Sequence, residues 1–128
     1  MVRALTCALT EKGGNPFVVP AMGSHAGATD KGQKAYIENL GIREDVTGCP
    51  IISSMDTAIL GTLSDGMPVY CDRNAAEADF IIVMNKIKPH ANFKGNIESG
   101  LCKMLGIGLA KRDGAAMLHR RGYSVFTE

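Results

Sequence analysis

The sequence predicts an α/β domain: a layered parallel, Rossmann-like sheet with helices on both faces and a small β-hairpin. Three observations carry that expectation. Helical and strand-like segments alternate along the chain, and such alternation implies right-handed crossovers in a parallel sheet. Phe80-Ile81-Ile82-Val83-Met84 is an unbroken apolar run, the pattern of a parallel strand covered on both faces. Ser64-Asp65-Gly66 separates two short strand-like stretches and reads as a hairpin turn.

From Met1 to Lys12, the residues Val2, Leu5, Ala8 and Leu9 fall on one helical face, and Gly13-Gly14 ends that helix. Phe17-Val18-Val19 predicts a short buried strand, and Met22 to Gly27 a glycine-punctuated loop. Thr29 or Asp30 caps a helix running to about Leu40, with Ala35, Ile37 and Leu40 among its apolar positions, and Gly41 stops it. Pro50 to Ser53 predicts an edge strand, and Ala58 to Leu63 with Met67 to Cys71 the two hairpin strands. Asn74 to Ala78 reads as a short helical turn. The apolar run at Phe80–Met84 is the strongest strand, followed by a loop over Lys86 to Ile97 and by helical segments near Ser99–Ala110 and Asp113–Arg121. The chain opens inside what reads as a crossover helix with no strand to feed it. The expectation is therefore one α/β domain over residues 1–128 that is a fragment of a longer two-domain enzyme.

Composition bounds the function. A chain of 128 residues suits one domain and can bury roughly two-thirds of its unfolded surface without staples. Lys plus Arg is 14 and Asp plus Glu is 13, so the formal charge of +1 gives no field that would attract nucleic acid or an anionic membrane. No apolar run is long enough to span a bilayer, and the N-terminus lacks a signal-peptide pattern, so the expected location is cytoplasmic. Cys7, Cys49, Cys71 and Cys102 have no C-x-x-C spacing and read as free thiols in small core positions. The late basic residues Lys103, Lys111, Arg112, Arg120 and Arg121 read either as solvated helix faces or as a phosphate-binding patch.

Two histidines follow predicted strands. His25 lies in Gly23-Ser24-His25-Ala26-Gly27 and His90 in Lys88-Pro89-His90-Ala91-Asn92-Phe93. Loops past the carboxyl ends of parallel strands form the ligand crevice, which would put both histidines on one edge of the sheet. A pair of imidazoles facing one substrate suits a reaction that needs an acid on one side and a base on the other. A second constellation runs from Phe93 to His119. There Gly95, Gly100, Gly106 and Gly108 flank Ser99 and Lys103 around a helix start, an arrangement able to hold a phosphate or carboxylate but without P-loop spacing.

Ala21-Met22-Gly23-Ser24-His25 resembles the strand-end Gly-Thr/Ser-His motif of the nickel-dependent lactate racemases and their relatives. The run from Asn85 to His90 and on to Phe93-Lys94-Gly95 resembles that family's second histidine loop. Glu98-Ser99-Gly100-Leu101-Cys102-Lys103 resembles its glycine- and lysine-bearing helix start, and Ala115-Ala116-Met117-Leu118-His119 its following histidine segment. The likeness runs from about Gly14 to Gly122, and its specificity rests on the order and separation of His25, His90, Lys103 and His119. It implies a racemase or epimerase of a 2-hydroxy acid that works by hydride transfer to a nickel-pincer nucleotide, a pyridinium mononucleotide cofactor. His25 and His90 would be its acid/base pair. Lys103, with Ser99 and Gly100 beside it, would hold the cofactor, and His119 would ligate nickel. The segment around Lys103 carries fewer glycines than in the lactate enzymes, and the family's upstream arginine segment and second domain are not in these residues. The fragment by itself is therefore expected to hold no cofactor and to be inactive. Two rival readings are a non-catalytic anion- or nucleotide-binding α/β module and a metal-free racemase with two bases.

Overall fold

The computed structural model describes residues 1–86, 88–89 and 99–122. The first helix, α1 (Val2–Glu11), forms where the sequence predicts it, and Gly13 turns the chain away with φ +84°. Val2, Leu5 and Leu9 are half-buried, but the anchoring contact is polar. The buried Thr6 hydroxyl donates to the Thr47 carbonyl at 2.6 Å, which ties α1 to α3 (Glu44–Thr47). Helix α2 (Asp30–Asn39) starts at the expected cap: the Thr29 hydroxyl accepts from Gly32 N–H at 3.1 Å. It stops before Gly41, whose φ of +84° continues the chain in the left-handed region.

The hairpin is also where the sequence puts it. Strands β1 (Thr57–Thr62) and β2 (Pro68–Asp72) pair antiparallel, with a register shift between Ile59 and Gly61. Gly66 closes the turn with φ +85°. A short helix, α4 (Arg73–Ala76), follows directly, capped by Asp72, whose Oδ1 accepts from Ala75 N–H at 3.1 Å. After the apolar run come α5 (Leu101–Lys103), a π-helical segment Met104–Leu109 that continues it, and α6 (Lys111–Arg121). The small core gathers Cys71, Ala75 and Leu109, with Val19, Ala21 and Ala76 packed against them.

The expected layered parallel, Rossmann-like sheet is not what forms. Among the described residues the one sheet is the two-stranded antiparallel hairpin, and parallel pairing is confined to a single bridge between Val18 and Ile51. The predicted strands at Phe17–Val19 and Pro50–Ser53 are reduced to that bridge. The run Phe80–Met84 pairs with no described strand; Phe80, Ile81 and Ile82 are exposed and Val83 and Met84 half-buried, so it is not the strand covered on both faces that the sequence predicts. The physical reason is that a strand is a property of pairs. Five consecutive apolar residues supply β propensity, but nothing in them names a neighbour. With no layered sheet, there are no two faces for helices to cover.

The cysteine expectation holds for half the set. Cys49 and Cys71 are buried, Cys7 and Cys102 are exposed, and all four thiols are free. Burial, reinforced by the neighbouring Asp72 charge and opposed by Lys111, pushes the Cys71 thiol above its ordinary pKa and keeps it protonated. No described helix is long and apolar enough to cross a membrane.

Candidate functional site

Gly23 is the point where three segments meet. Its N–H donates to the Gly108 carbonyl at 3.0 Å. A side chain at Gly23 would come within 2.9 Å of Ile107 Cγ2 in the π segment and 3.5 Å of Ala115 Cβ in α6. Gly108 is held just as closely, since a Cβ there would sit 2.6 Å from the Ala21 carbonyl oxygen. Glycine at both positions thus lets the Ala21–Gly23 backbone lie against the late helices, an approach only a residue without Cβ permits.

The candidate residues radiate from this junction. His25 follows Gly23 by two residues. Its side chain is exposed, and its N–H donates to the Met22 carbonyl at 3.0 Å. Lys103 precedes Ile107 by four residues and is half-buried; His119 follows Ala115 by four residues and is exposed on the last turn of α6. A separation of four puts two residues on one face of a helix. The π segment and α6 fold back on each other, so that a Cβ at Gly106 would touch Leu118 Cδ1 at 3.6 Å. The chain therefore returns between Lys103 and His119, as their expected roles require. Ser99 and Gly100 are half-buried just ahead of α5; Gly100 has φ +78°, and none of the described residues comes within 4 Å of where a side chain would begin. His90 lies outside the described residues, as does most of the predicted loop over Lys86 to Ile97.

The turn back is not made at a glycine. Lys111 itself takes the left-handed conformation, with φ +53°. Such a φ costs a residue with Cβ about 1 kcal/mol or more, and the side chain explains why it is tolerated. Lys111 is completely buried; its ammonium donates to the Pro20 carbonyl at 2.8 Å and lies 2.9 Å from Asp72 Oδ2, also completely buried. The contact with Asp72 is electrostatic rather than a directed hydrogen bond, because Oδ2 has no donor at a suitable angle. One lysine thus joins the end of β2, the start of α6 and, at Pro20, the extended segment leading to His25. The reading of Lys111 as part of a solvated or phosphate-binding basic patch is corrected by this burial, whereas Arg112, Arg120 and Arg121 are exposed. Arg121 pairs with Asp65 in the hairpin turn, and that contact holds the Asp65 carboxyl below its usual range.

Sequence reasoning also missed Gln33. It is fully buried in the first turn of α2, and its Nε2 donates to the Gly23 carbonyl at 2.8 Å and to the His25 carbonyl at 3.4 Å. A signal was available: a polar residue one turn past the Thr29 cap, preceded by a glycine, on the side of Ile37.

A shallow cavity of about 360 Å³ lies on the other flank of α2, lined by Thr29, Asp30, Ser53, Ser54 and Asp56 among others, and none of the candidate residues borders it. Among the described residues no three His, Cys, Asp or Glu side chains converge to hold a metal ion. Any metal at His119 would need most of its ligands from elsewhere.

An exposed histidine turn, an amine-bearing helix and a histidine-bearing helix are thus locked together through glycines. The family model described as the lactate racemase N-terminal domain matches residues 1–125, and the chain belongs to that family. Searches of curated proteins and of solved structures gave no significant match.

Proposed function

We propose that this chain carries acid/base and cofactor-holding residues of a racemase or epimerase acting on a 2-hydroxy acid with a nickel-pincer nucleotide. The observation that carries the reading is the Gly23 junction, which joins the His25 turn to the segments bearing Lys103 and His119. Family membership makes an isomerase of this type the coherent reading of that geometry.

The donor set fits the cofactor. Lys103 makes no ion pair among the described residues, and its primary amine suits covalent attachment. Gly100 and Ser99 leave bare backbone and a small side chain beside it for a phosphate. His119 offers an imidazole, a ligand suited to nickel. One imidazole is enough only where the bound group brings the remaining donors, which is what a pincer does. When bound, that group supplies hydride chemistry that no side chain can.

The rest is the work of the chain. His25 accepts the hydroxyl proton of the substrate from one side, and His90 is assigned the opposite side. For the reverse enantiomer the two exchange roles, one imidazole taking the hydroxyl proton and the other returning one.

Intact-mass measurement, nickel analysis and chiral chromatography over a panel of 2-hydroxy acids test the reading on the nickel-loaded full-length enzyme that carries this domain. Lys103→Ala should abolish the covalent mass addition, and His119→Ala should lower bound nickel. His25→Ala should lose about 10² to 10⁴ in turnover while keeping its cofactor. An adduct undiminished in Lys103→Ala, or a loaded protein that racemises nothing on the panel, would defeat it.

A further inference from the structure

His25 sits at the mouth of a strained turn. Ala26, Gly27 and Ala28 have φ of +53°, +73° and +52°, three successive residues in the left-handed region, two of them with a Cβ. Non-glycine residues persist there only when their surroundings over-determine them, and such strain gathers at functional sites. The surroundings here are the first turn of α2. The Cβ of any residue at position 32 other than glycine would lie 2.1 Å from the Ala26 carbonyl oxygen, so Gly32 lets the helix press against the turn. Gln33, beside it, reaches under the turn with one amide nitrogen, gripping the carbonyls of Gly23 and His25. The His25 carbonyl also accepts from Ala28 N–H at 3.1 Å, so the backbone of His25 is fixed from within the turn and from beneath it.

We propose that Gln33 is the positioning residue for His25: its buried amide holds the left-handed turn in the one conformation that presents the imidazole. The amide is chosen by its chemistry. Both atoms it meets are carbonyl acceptors, so only the NH₂ end can face them. A carboxylate of the same shape would set negative charge against two oxygens. The other end, Oε1, is buried with no hydrogen-bond partner. That unmet acceptor is a local cost, and it stands against the two contacts made by Nε2. The inference rests on the acid/base role given to His25 above, and it adds a residue that does not touch the substrate.

Two variants and one spectroscopic readout test it. Gln33→Leu keeps the bulk and removes the donor. Gln33→Glu keeps the shape and restores one donor only while its carboxyl is protonated. On this chain, with no substrate present, the imidazole resonances of His25 should shift or broaden in Gln33→Leu while those of His119 stay at their parent positions. In the nickel-loaded full-length enzyme, on the 2-hydroxy acid the parent turns over, Gln33→Leu should lower kcat by about 10²-fold, the scale of a 1 Å misplacement, with KM and bound nickel near parent values. Gln33→Glu should show a new loss of kcat as pH rises, displaced above the ordinary carboxylate range because burial disfavours the charge. A residue that merely fills space would give neither the new limb nor a selective change at His25. If Gln33→Leu fails to fold, Gln33→Glu at low pH still reports. Parent His25 resonances and a parent pH profile in the Gln33 variants would overturn the proposal. A His25→Ala control separates the two readings: parent turnover there overturns the role of His25 itself, whereas loss there with parent kinetics in both Gln33 variants overturns only the part given to Gln33.

Discussion

Replacing Lys111 by Met is the most informative perturbation of the scaffold. Methionine matches the length of the lysine stem and fills the same volume, so the change removes the ammonium with little change in packing. It leaves Asp72 completely buried with its Oδ1 still bound to Ala75 N–H but its charge unopposed, because the cation 2.9 Å away has gone. Breaking one side of a buried ion pair costs about 3–5 kcal/mol, and the Pro20 carbonyl loses a hydrogen bond worth about 1 kcal/mol more. Against a total stability of about 5–15 kcal/mol, the variant should be barely folded, with Tm lower by roughly 10–20 °C. The assay is urea denaturation read by circular dichroism, with midpoints compared at equal slope. The double variant Asp72→Asn/Lys111→Met is the partner experiment. A neutral Asn still accepts from Ala75 N–H and no charge is stranded, so most of the loss should return. A Lys111→Met protein within about 1 kcal/mol of the parent, or a double variant no more stable than the single one, would refute the account of Lys111 as a buried strut.

Three further outcomes follow from the same geometry. Gly108→Ala should destabilise by about 1–3 kcal/mol on a urea melt, since its methyl would meet the Ala21 carbonyl at 2.6 Å; retention of parent stability would mean the junction is looser than described. Thr29→Ala should cost about 1 kcal/mol through loss of the cap on Gly32 N–H, whereas Thr29→Ser should cost a few tenths at most. The Glu44 carboxyl is held below its ordinary value of 4.5, first by its hydrogen bond from Lys34 and then by Ile51 N–H. Between the lowered folded pKa and 4.5 the unfolded chain binds more protons, so this contribution is present above pH 4.5 and lost as pH falls through the folded value. In an acid titration, Glu44→Gln should therefore flatten the decline in stability below pH 4.5.

The local signals in the sequence proved reliable where one residue type dictates one geometry. Gly13, Gly41 and Gly66 each take the positive φ expected of a helix stop or hairpin turn, and Thr29 caps α2 as its hydroxyl allows. Long-range pairing was not legible. Phe80–Met84 has the composition of a buried strand, yet only a partner could make it one, and composition carries no address. The candidate site shows the same division. His25 and Lys103 are singled out as candidates by type and position and His119 by the family resemblance, but the Gly23 junction that relates them depends on two glycines far apart in the chain. Lys111 and Gln33 were missed because a polar side chain looks solvated until its partners are known, and here they are main-chain carbonyls and the carboxylate of Asp72.

The π-helical passage from Met104 to Leu109 also governs how the chain tolerates changes in length. A π segment closes its hydrogen bonds one residue wider than an α-helix, so it behaves as a residue inserted into a helix and absorbed there. Deleting one residue between Met104 and Gly106 would let the passage relax to α geometry without breaking a single helical turn. Phase would be nearly kept: the wide turn already absorbs the extra residue, so without it three α steps of about 100° each bring Lys103 close to its present direction relative to Ile107 and Gly108, which stay clamped to Gly23 and Ala21. A single-residue deletion here would thus leave both the fold and the direction of the amine nearly intact. Across natural variants of this domain, loss of one residue should be accepted in this passage as well as in the hairpin turn at Ser64–Gly66, whereas a further insertion here would exceed what one π passage absorbs.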